Sequence, residues 1–153
     1  MIISLTCRVT EYERRAVEEV GLSLGAKKVR LIDEPMAAAI GAGLLVTAPR
    51  GQIIVDIGGG TTEIAIISLG GVAYANAVRT GGHAMDQKII KHLRTEFNIL
   101  IGEATAEKLK IQYANAQLED TTEIMEFNGV DLYSGLPKLI RLPKREIAVA
   151  ISP

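Results

Sequence analysis

Asp56-Ile-Gly-Gly-Gly-Thr-Thr-Glu63 brings a carboxylate, three consecutive glycines and two hydroxyls together in eight residues. Consecutive glycines let a ligand come close to the main chain, so the amides of Gly58, Gly59, Gly60, Thr61 and Thr62 can converge on an anion, and phosphate is the anion that fits. The Asp56 carboxylate would repel phosphate directly. It suits a hard cation held between a carboxylate, waters and phosphate oxygens, which points to a Mg-nucleotide. The same glycines also fit an ordinary tight hairpin with no ligand. A P-loop would need Lys-Ser/Thr and a helix after its glycines, and a dinucleotide fingerprint would need spaced glycines opening a helix. Here Thr61 begins a second strand, so neither motif applies.

The elements that must hold this stretch are legible in the flanking pattern. Apolar β-branched runs at Ile53–Ile57 and Thr61–Ile67 predict two buried strands of a hairpin, and Gly70-Gly71 turns the chain into a third strand, Val72–Thr80. Ahead of it, Met1–Leu5 reads as a strand. Thr10 and Glu13 form an S/T-x-x-E capping box for a helix with an apolar stripe at Ala16, Val17, Val20 and Leu24, which Gly25 stops. Val29–Ile32 predicts a second strand, and Pro35 opens a helix of small residues, Met36–Gly43. Strand, helix, strand, helix implies parallel pairing. Glu34 stands at the start of that second helix, where an acid is stabilised by the macrodipole and a carboxylate can also accept a proton.

Thr47-Ala-Pro-Arg-Gly51 carries turn residues and reads as a boundary between lobes. Beyond the meander, Gly81-Gly82 leads into a long helix whose buried face is Met85, Ile89, Ile90, Leu93 and Phe97. Another helix is expected from about Glu103 to Ala114, with Leu109 and Tyr113 inward and Glu107 and Lys110 on the other side. Asn128-Gly129 is the strongest hairpin signal, linking Thr122–Phe127 with Val130–Tyr133. Lys138–Leu142 adds a strand, and Pro143 is expected to open a final helix.

Of the 153 residues, 48% are hydrophobic and 23% charged, enough for one sizeable core or two small ones. A net charge of -1 gives no reason to expect nucleic acid as a partner. The single cysteine, Cys7, excludes an intrachain disulfide and a multi-cysteine zinc site. The apolar runs fall far short of the roughly 20 residues that span a bilayer.

Three groups of residues together resemble the superfamily of actin, sugar kinases and heat-shock chaperone ATPases, and most closely its MreB family of bacterial actin homologues. Asp56–Glu63 is similar to the second phosphate loop of that superfamily. Asp33-Glu-Pro-Met-Ala-Ala-Ala-Ile-Gly-Ala-Gly43 is similar to the helix connecting the two lobes, and Gly102-Glu-Ala-Thr-Ala-Glu-Lys-Leu-Lys110 to the helix that contacts adenosine. The order and spacing continue through Gly129–Pro137, so the resemblance covers nearly the whole chain. It implies an α/β, actin-like ATPase fold of the ribonuclease H-like kind. Residues 1–47 would be the incomplete end of a first lobe. Residues 52–153 would be the second lobe, with an upper helical and β subdomain at about 83–137.

The first phosphate loop and a later adenine-closing glycine motif are absent, so the chain is expected to be an internal piece holding about half a nucleotide cleft, inactive alone. The resemblance implies ATP or ADP with Mg2+ as cofactors. Glu34 would orient or activate the attacking water, with Thr61 helping to place it, and Asp56 would hold the metal through water. Gly58, Gly59, Gly60, Thr61 and Thr62 would take the phosphates, while Glu107 and Lys110 would flank the ribose and base. Gly81, Gly82 and Asp86 match a glycine pair and following acid, read as turn and helix cap. Where the family usually has an acid, this chain has His83, and where it usually has a Pro-Ser-Gly-like turn, this chain has Leu5-Thr-Cys-Arg8.

The whole protein would be a cytoplasmic, membrane-associated, cell-shape-determining cytoskeletal ATPase. It would polymerise with itself into filaments on the inner membrane and guide the cell-wall synthesis machinery. A sugar or acetate kinase lobe, a chaperone ATPase lobe and a nucleotide-free scaffold piece are the alternatives. A kinase would need a phosphoryl-acceptor site and a catalytic aspartate that this stretch does not display.

Overall fold

A computed structural model describes residues 1–116 and 122–152. The chain divides into two compact units, Met1–Thr80 and Gly81–Pro153. The expected boundary at Thr47–Gly51 lies inside the first of them.

In the first unit, strand β1 (Ile2–Leu5) pairs in parallel with β2 (Arg30–Asp33) across helix α1 (Glu11–Ser23). The capping box forms as the sequence predicts. Glu13 N donates to Thr10 Oγ1, and Thr10 N donates to the Glu13 carboxylate at 2.7 Å. Gly25, at φ +92°, ends α1 with the amides of Gly25 and Ala26 returning to the carbonyls of Leu22 and Gly21, a pairing that needs a left-handed residue. The stripe on α1 is only partly covered. Val20 and Leu24 are exposed and, with Met1, Ile3, Ala16, Val17 and Gly21, line an apolar cleft of about 240 Å³. Helix α2 (Glu34–Gly41) follows β2 with no residue between, and Pro35 in its first turn is buried.

Strands β3 (Gln52–Ile57), β4 (Thr62–Ser68) and β5 (Gly71–Val78) form the expected antiparallel meander in the order β3-β4-β5. Leu69 and Gly70, both at positive φ, make its second turn, which is the backbone twist a two-residue hairpin prefers. One face of the sheet buries Glu63, Ala65, Ile67 and Ala77; on the other, Ile53, Val55, Ile57, Ile64, Tyr74 and Val78 are exposed.

The second unit packs α3 (Gly82–Phe97), α4 (Glu103–Tyr113) and α5 (Arg145–Ile151) with a sheet of order β6-β7-β8: β6 (Ile99–Leu100), β7 (Ile124–Asp131) and β8 (Pro137–Pro143). Its core joins Ile89, Leu93, Leu109, Met125, Ile140 and Ile147 in one cluster. Met85 is exposed, and Asp86 occupies the buried position on that side of α3.

The Asn128-Gly129 turn is not formed. Both residues lie inside β7, paired with Leu139 and Lys138. A Cβ at Gly129 would stand 2.7 Å from Ile99 Cγ2, so glycine is there for the close approach of β6. The turn comes later. Asp131 Oδ1 accepts from Tyr133 N at 2.9 Å and Ser134 N at 3.1 Å, and Gly135 takes φ +70°. Pro143 ends β8 instead of opening a helix, and α5 starts after Lys144.

Candidate functional site

The glycine stretch is a four-residue loop between the paired residues Ile57 and Thr62. Gly58 N donates to Thr61 O at 2.9 Å and so closes the loop on itself. That amide is spent on the turn, whereas those of Gly59, Gly60 and Thr61 have no hydrogen-bond partner among the described residues. The Thr62 hydroxyl donates to Thr80 O at 2.7 Å. None of Gly58, Gly59 and Gly60 takes a positive φ, and a Cβ at Gly60 would meet nothing within 4 Å. Neither backbone strain nor packing inside the chain therefore calls for glycine at position 60. An open loop of this kind leaves its main chain accessible.

Asp56, half-buried one residue before the end of β3, stands opposite Glu63 on β4. Glu63 is 2% exposed, in phase with the buried Ala65 and Ile67. Its two carboxylate oxygens accept from the amide of Cys7 at 3.3 and 3.4 Å, tying the segment after β1 to the hairpin. Burial, and with it the carboxylates of Glu34 and Asp56, pushes the Glu63 carboxyl above its ordinary range against the downward pull of the Cys7 amide. Burial and the same carboxylate raise the Cys7 thiol, which makes it a poor nucleophile.

Glu34 is the first residue of α2, half-buried. The residue before it, Asp33, does not cap the helix with its side chain; Arg14 holds it at 2.6 Å, fixing the β2–α2 junction to α1. The first unit thus brings together Glu34, Asp56 and Glu63 as one electrostatic cluster beside the glycine loop. No group of three side chains suited to a metal occurs among the described residues. A lone carboxylate fits a cation whose other ligands are water and phosphate oxygens, as Mg2+ prefers.

In the second unit, a cleft of about 400 Å³ is lined by His83, Asp86 and Gln87 from α3 and by Glu103, Ala104 and Glu107 from α4. Asp86 is no cap: Gly81 is the N-cap, without a side-chain bond, and Asp86 is 6% exposed one turn further on. Lys110 Nζ lies 2.8 Å from its Oδ1 as an ion pair and donates to its Oδ2 at 2.9 Å and to Gly82 O at 3.1 Å. Oδ1 itself lacks an aligned hydrogen bond. Gln87 donates to Glu103 at 3.0 Å. His83 and Glu107 have no hydrogen-bond or ion-pair partner among the described residues.

Sequence reasoning missed Glu63 and Asp86 as structural partners of the site. The signal for both was a charged residue in phase with a buried apolar stripe.

A mixed α/β architecture with a glycine hairpin and a carboxylate at its strand end is that of the actin-like proteins. The fold matches the double helical filament of MamK with a TM-score of 0.71 at 18% identity, over 99% of this chain and 43% of MamK, which is a likeness of fold alone. The model of the MreB/Mbl protein family matches residues 1–153, and the chain belongs to that family. It is 45% identical to the cell shape-determining protein MreB of Escherichia coli over 151 residues, 99% of this chain and 44% of the relative. MreB5 of Spiroplasma citri, solved with AMPPNP and also with ADP, matches at 37% identity with TM-scores of 0.90 and 0.91. Those matches cover 98% of this chain and 45% and 46% of MreB5. The chain thus spans less than half the length of these relatives.

Proposed function

We propose that this chain is part of a cell-shape-determining, actin-like cytoskeletal ATPase. In this reading the first unit addresses the phosphates and metal of Mg-ATP, and the second unit addresses the nucleoside. The full-length protein assembles into filaments on the cytoplasmic face of the membrane and guides cell-wall synthesis. The observation that supports the nucleotide reading is the match of 98% of the chain to MreB5, a relative solved with AMPPNP and with ADP.

The residues divide the work by their chemistry. Amides of Gly59, Gly60 and Thr61 would take phosphate oxygens, and Asp56 would hold Mg2+ through water. The metal would neutralise charge on the phosphates. Glu34 would accept the proton of the attacking water, with Thr61 helping to place that water. In the second unit Glu107 would accept from ribose hydroxyls, with Lys110 beside it. The Gly58 amide and the Thr62 hydroxyl hold the loop in shape, and the Thr62 amide would join the phosphate contacts.

Two variants of the full-length gene product test this. Glu34→Ala should slow phosphate release by about a hundredfold while leaving ATP affinity near normal, since only the proton acceptor is lost. Asp56→Ala should depress both nucleotide binding and filament pelleting, because the Mg-nucleotide complex itself is weakened. Parental hydrolysis by Glu34→Ala would reduce Glu34 to a helix-start acid.

A further inference from the structure

Asp33 is the N-cap of α2, a position where an aspartate ordinarily accepts from an amide of the first turn. It makes no such bond. Its carboxylate instead meets Arg14 Nη2 at 2.6 Å, with both side chains only partly exposed. Arg14 also sits against its local preference, in the first turns of α1, near the helix end whose partial positive charge disfavours a cation. The Thr10–Glu13 capping box fixes that end, and Arg14 N donates to Thr10 O at 3.0 Å. Two local preferences are thus overridden for one contact, and that contact joins the start of α1 to the residue before Glu34.

We propose that Arg14 is a positioning residue for Glu34: through Asp33 it anchors the β2–α2 junction to the capped start of α1, and so fixes where the Glu34 carboxylate stands. This rests on the reading of Glu34 as proton acceptor for the attacking water. Glu34 has no hydrogen bond or ion pair of its own among the described residues, so its placement comes from its neighbours. On one side Asp33 pairs with Leu5 at the end of the β1–β2 ladder; on the other Pro35 is buried, its φ set by the ring. Stability alone does not account for the ion pair, because a partly exposed pair contributes little and Asp33 forgoes a helix cap to make it. The pairing also leaves Glu34 as the unpaired one of two adjacent carboxylates.

The test is phosphate release by the full-length protein at saturating ATP, with AMPPNP affinity measured by calorimetry in about 0.15 M salt, which screens distant charges. Arg14→Met should slow turnover about tenfold, within the hundredfold or so that a small misplacement of a reacting group can cost. AMPPNP affinity should stay within about twofold of the parent, since Arg14 acts on the proton acceptor and not on binding. Thermal unfolding should hold or rise, because Asp33 is then free to cap α2. Asp33→Ser breaks the ion pair but supplies a good cap, and should show the same slowing with no loss of stability. The contact is a single Nη2–Oδ1 bond, so Arg14→Lys should recover most of the turnover.

In the Glu34→Ala background, Arg14→Met should bring no further loss, because the two act through one group. A further loss of about tenfold there would mean that Arg14 acts elsewhere, which overturns the proposal. So would Arg14→Met with parental turnover, slowing that Arg14→Lys does not relieve, or slowing that appears only together with lost thermal stability. If Arg14→Met fails to fold, Asp33→Ser decides by the same readings. Parental hydrolysis by Glu34→Ala overturns the reading of Glu34 and the proposal with it. That failure is distinct from a slow Glu34→Ala beside an Arg14→Met that turns over as the parent does.

Discussion

The two units bury their apolar residues to very different extents. Gly81–Pro153 gathers residues from three helices and three strands into a single cluster, with Ile89, Leu93, Met125 and Ile147 at 0% exposure. Met1–Thr80 splits its strands between two sheets and leaves Ile53 67%, Ile57 65% and Leu24 75% exposed. The glycine loop, Asp56, Glu34 and the buried Glu63 all belong to this less covered unit. What fixes their geometry is specific polar ties, Cys7 to Glu63, Arg14 to Asp33 and Thr62 to Thr80, more than the depth of an apolar core. The second unit reverses that order: its core fixes α3 and α4, and the polar groups on the cleft wall are sorted afterwards by which partner each one finds.

The sharpest way to break this contrast is truncation of one apolar side chain in each unit. Leu93→Ala should destabilise the second unit by about 3 to 5 kcal/mol, the range for a fully buried leucine with limited room to collapse. Val55→Ala, half-exposed on the open sheet face, should cost less than about 1 kcal/mol. Chemical denaturation followed by far-UV circular dichroism measures both. Comparable losses would mean that the first unit's sheet face is covered in solution.

A second, smaller effect separates turn chemistry from packing. Gly129→Ala should destabilise by about 1 to 3 kcal/mol through the clash with Ile99, as overpacking does. Were Asn128-Gly129 a turn, the cost would arise from a left-handed backbone, and replacement of Gly129 by Asn would largely restore stability. In the observed strand, Asn is bulkier and should be worse than Ala. Thermal unfolding of the two variants discriminates.

These two cases also show what a sequence can and cannot carry. The capping box at Thr10, the stop at Gly25, the meander around the glycine loop and helices α3 and α4 were legible because each is a local pattern whose physics acts within a few residues. Asn128-Gly129 carried the local signature of a turn, but its glycine answers to Ile99, about thirty residues away, and the real turn depends on the Asp131 side chain. The same holds for the site. Asp56 and the glycines announce themselves together, whereas the partners of Glu63 and Asp86 lie 56 and 24 residues away. Only the fold reveals that Lys110 pairs with Asp86.

The smallest effect, and the most direct probe of how the first unit handles charge, is the pH dependence attached to Glu63. Its folded-state affinity for a proton is raised by burial and by Glu34 and Asp56, so the folded state binds more protons than the unfolded chain across that range. Stability from this group is then fully present below the unfolded value, near 4.5, and is lost as pH rises through the higher folded value. Glu63→Gln keeps an oxygen that can accept from the Cys7 amide but cannot ionise. Its stability relative to the parent should therefore increase as pH climbs from about 4 to neutrality, then level off. Urea midpoints of both proteins, measured across that range without metal or nucleotide, give the difference curve. A flat curve would mean that the ionised carboxylate is accommodated at no cost, with the Cys7 amide outweighing burial. A rising one would mean that burial, with Glu34 and Asp56 adding to it, penalises the ionised form of this carboxylate in the folded hairpin.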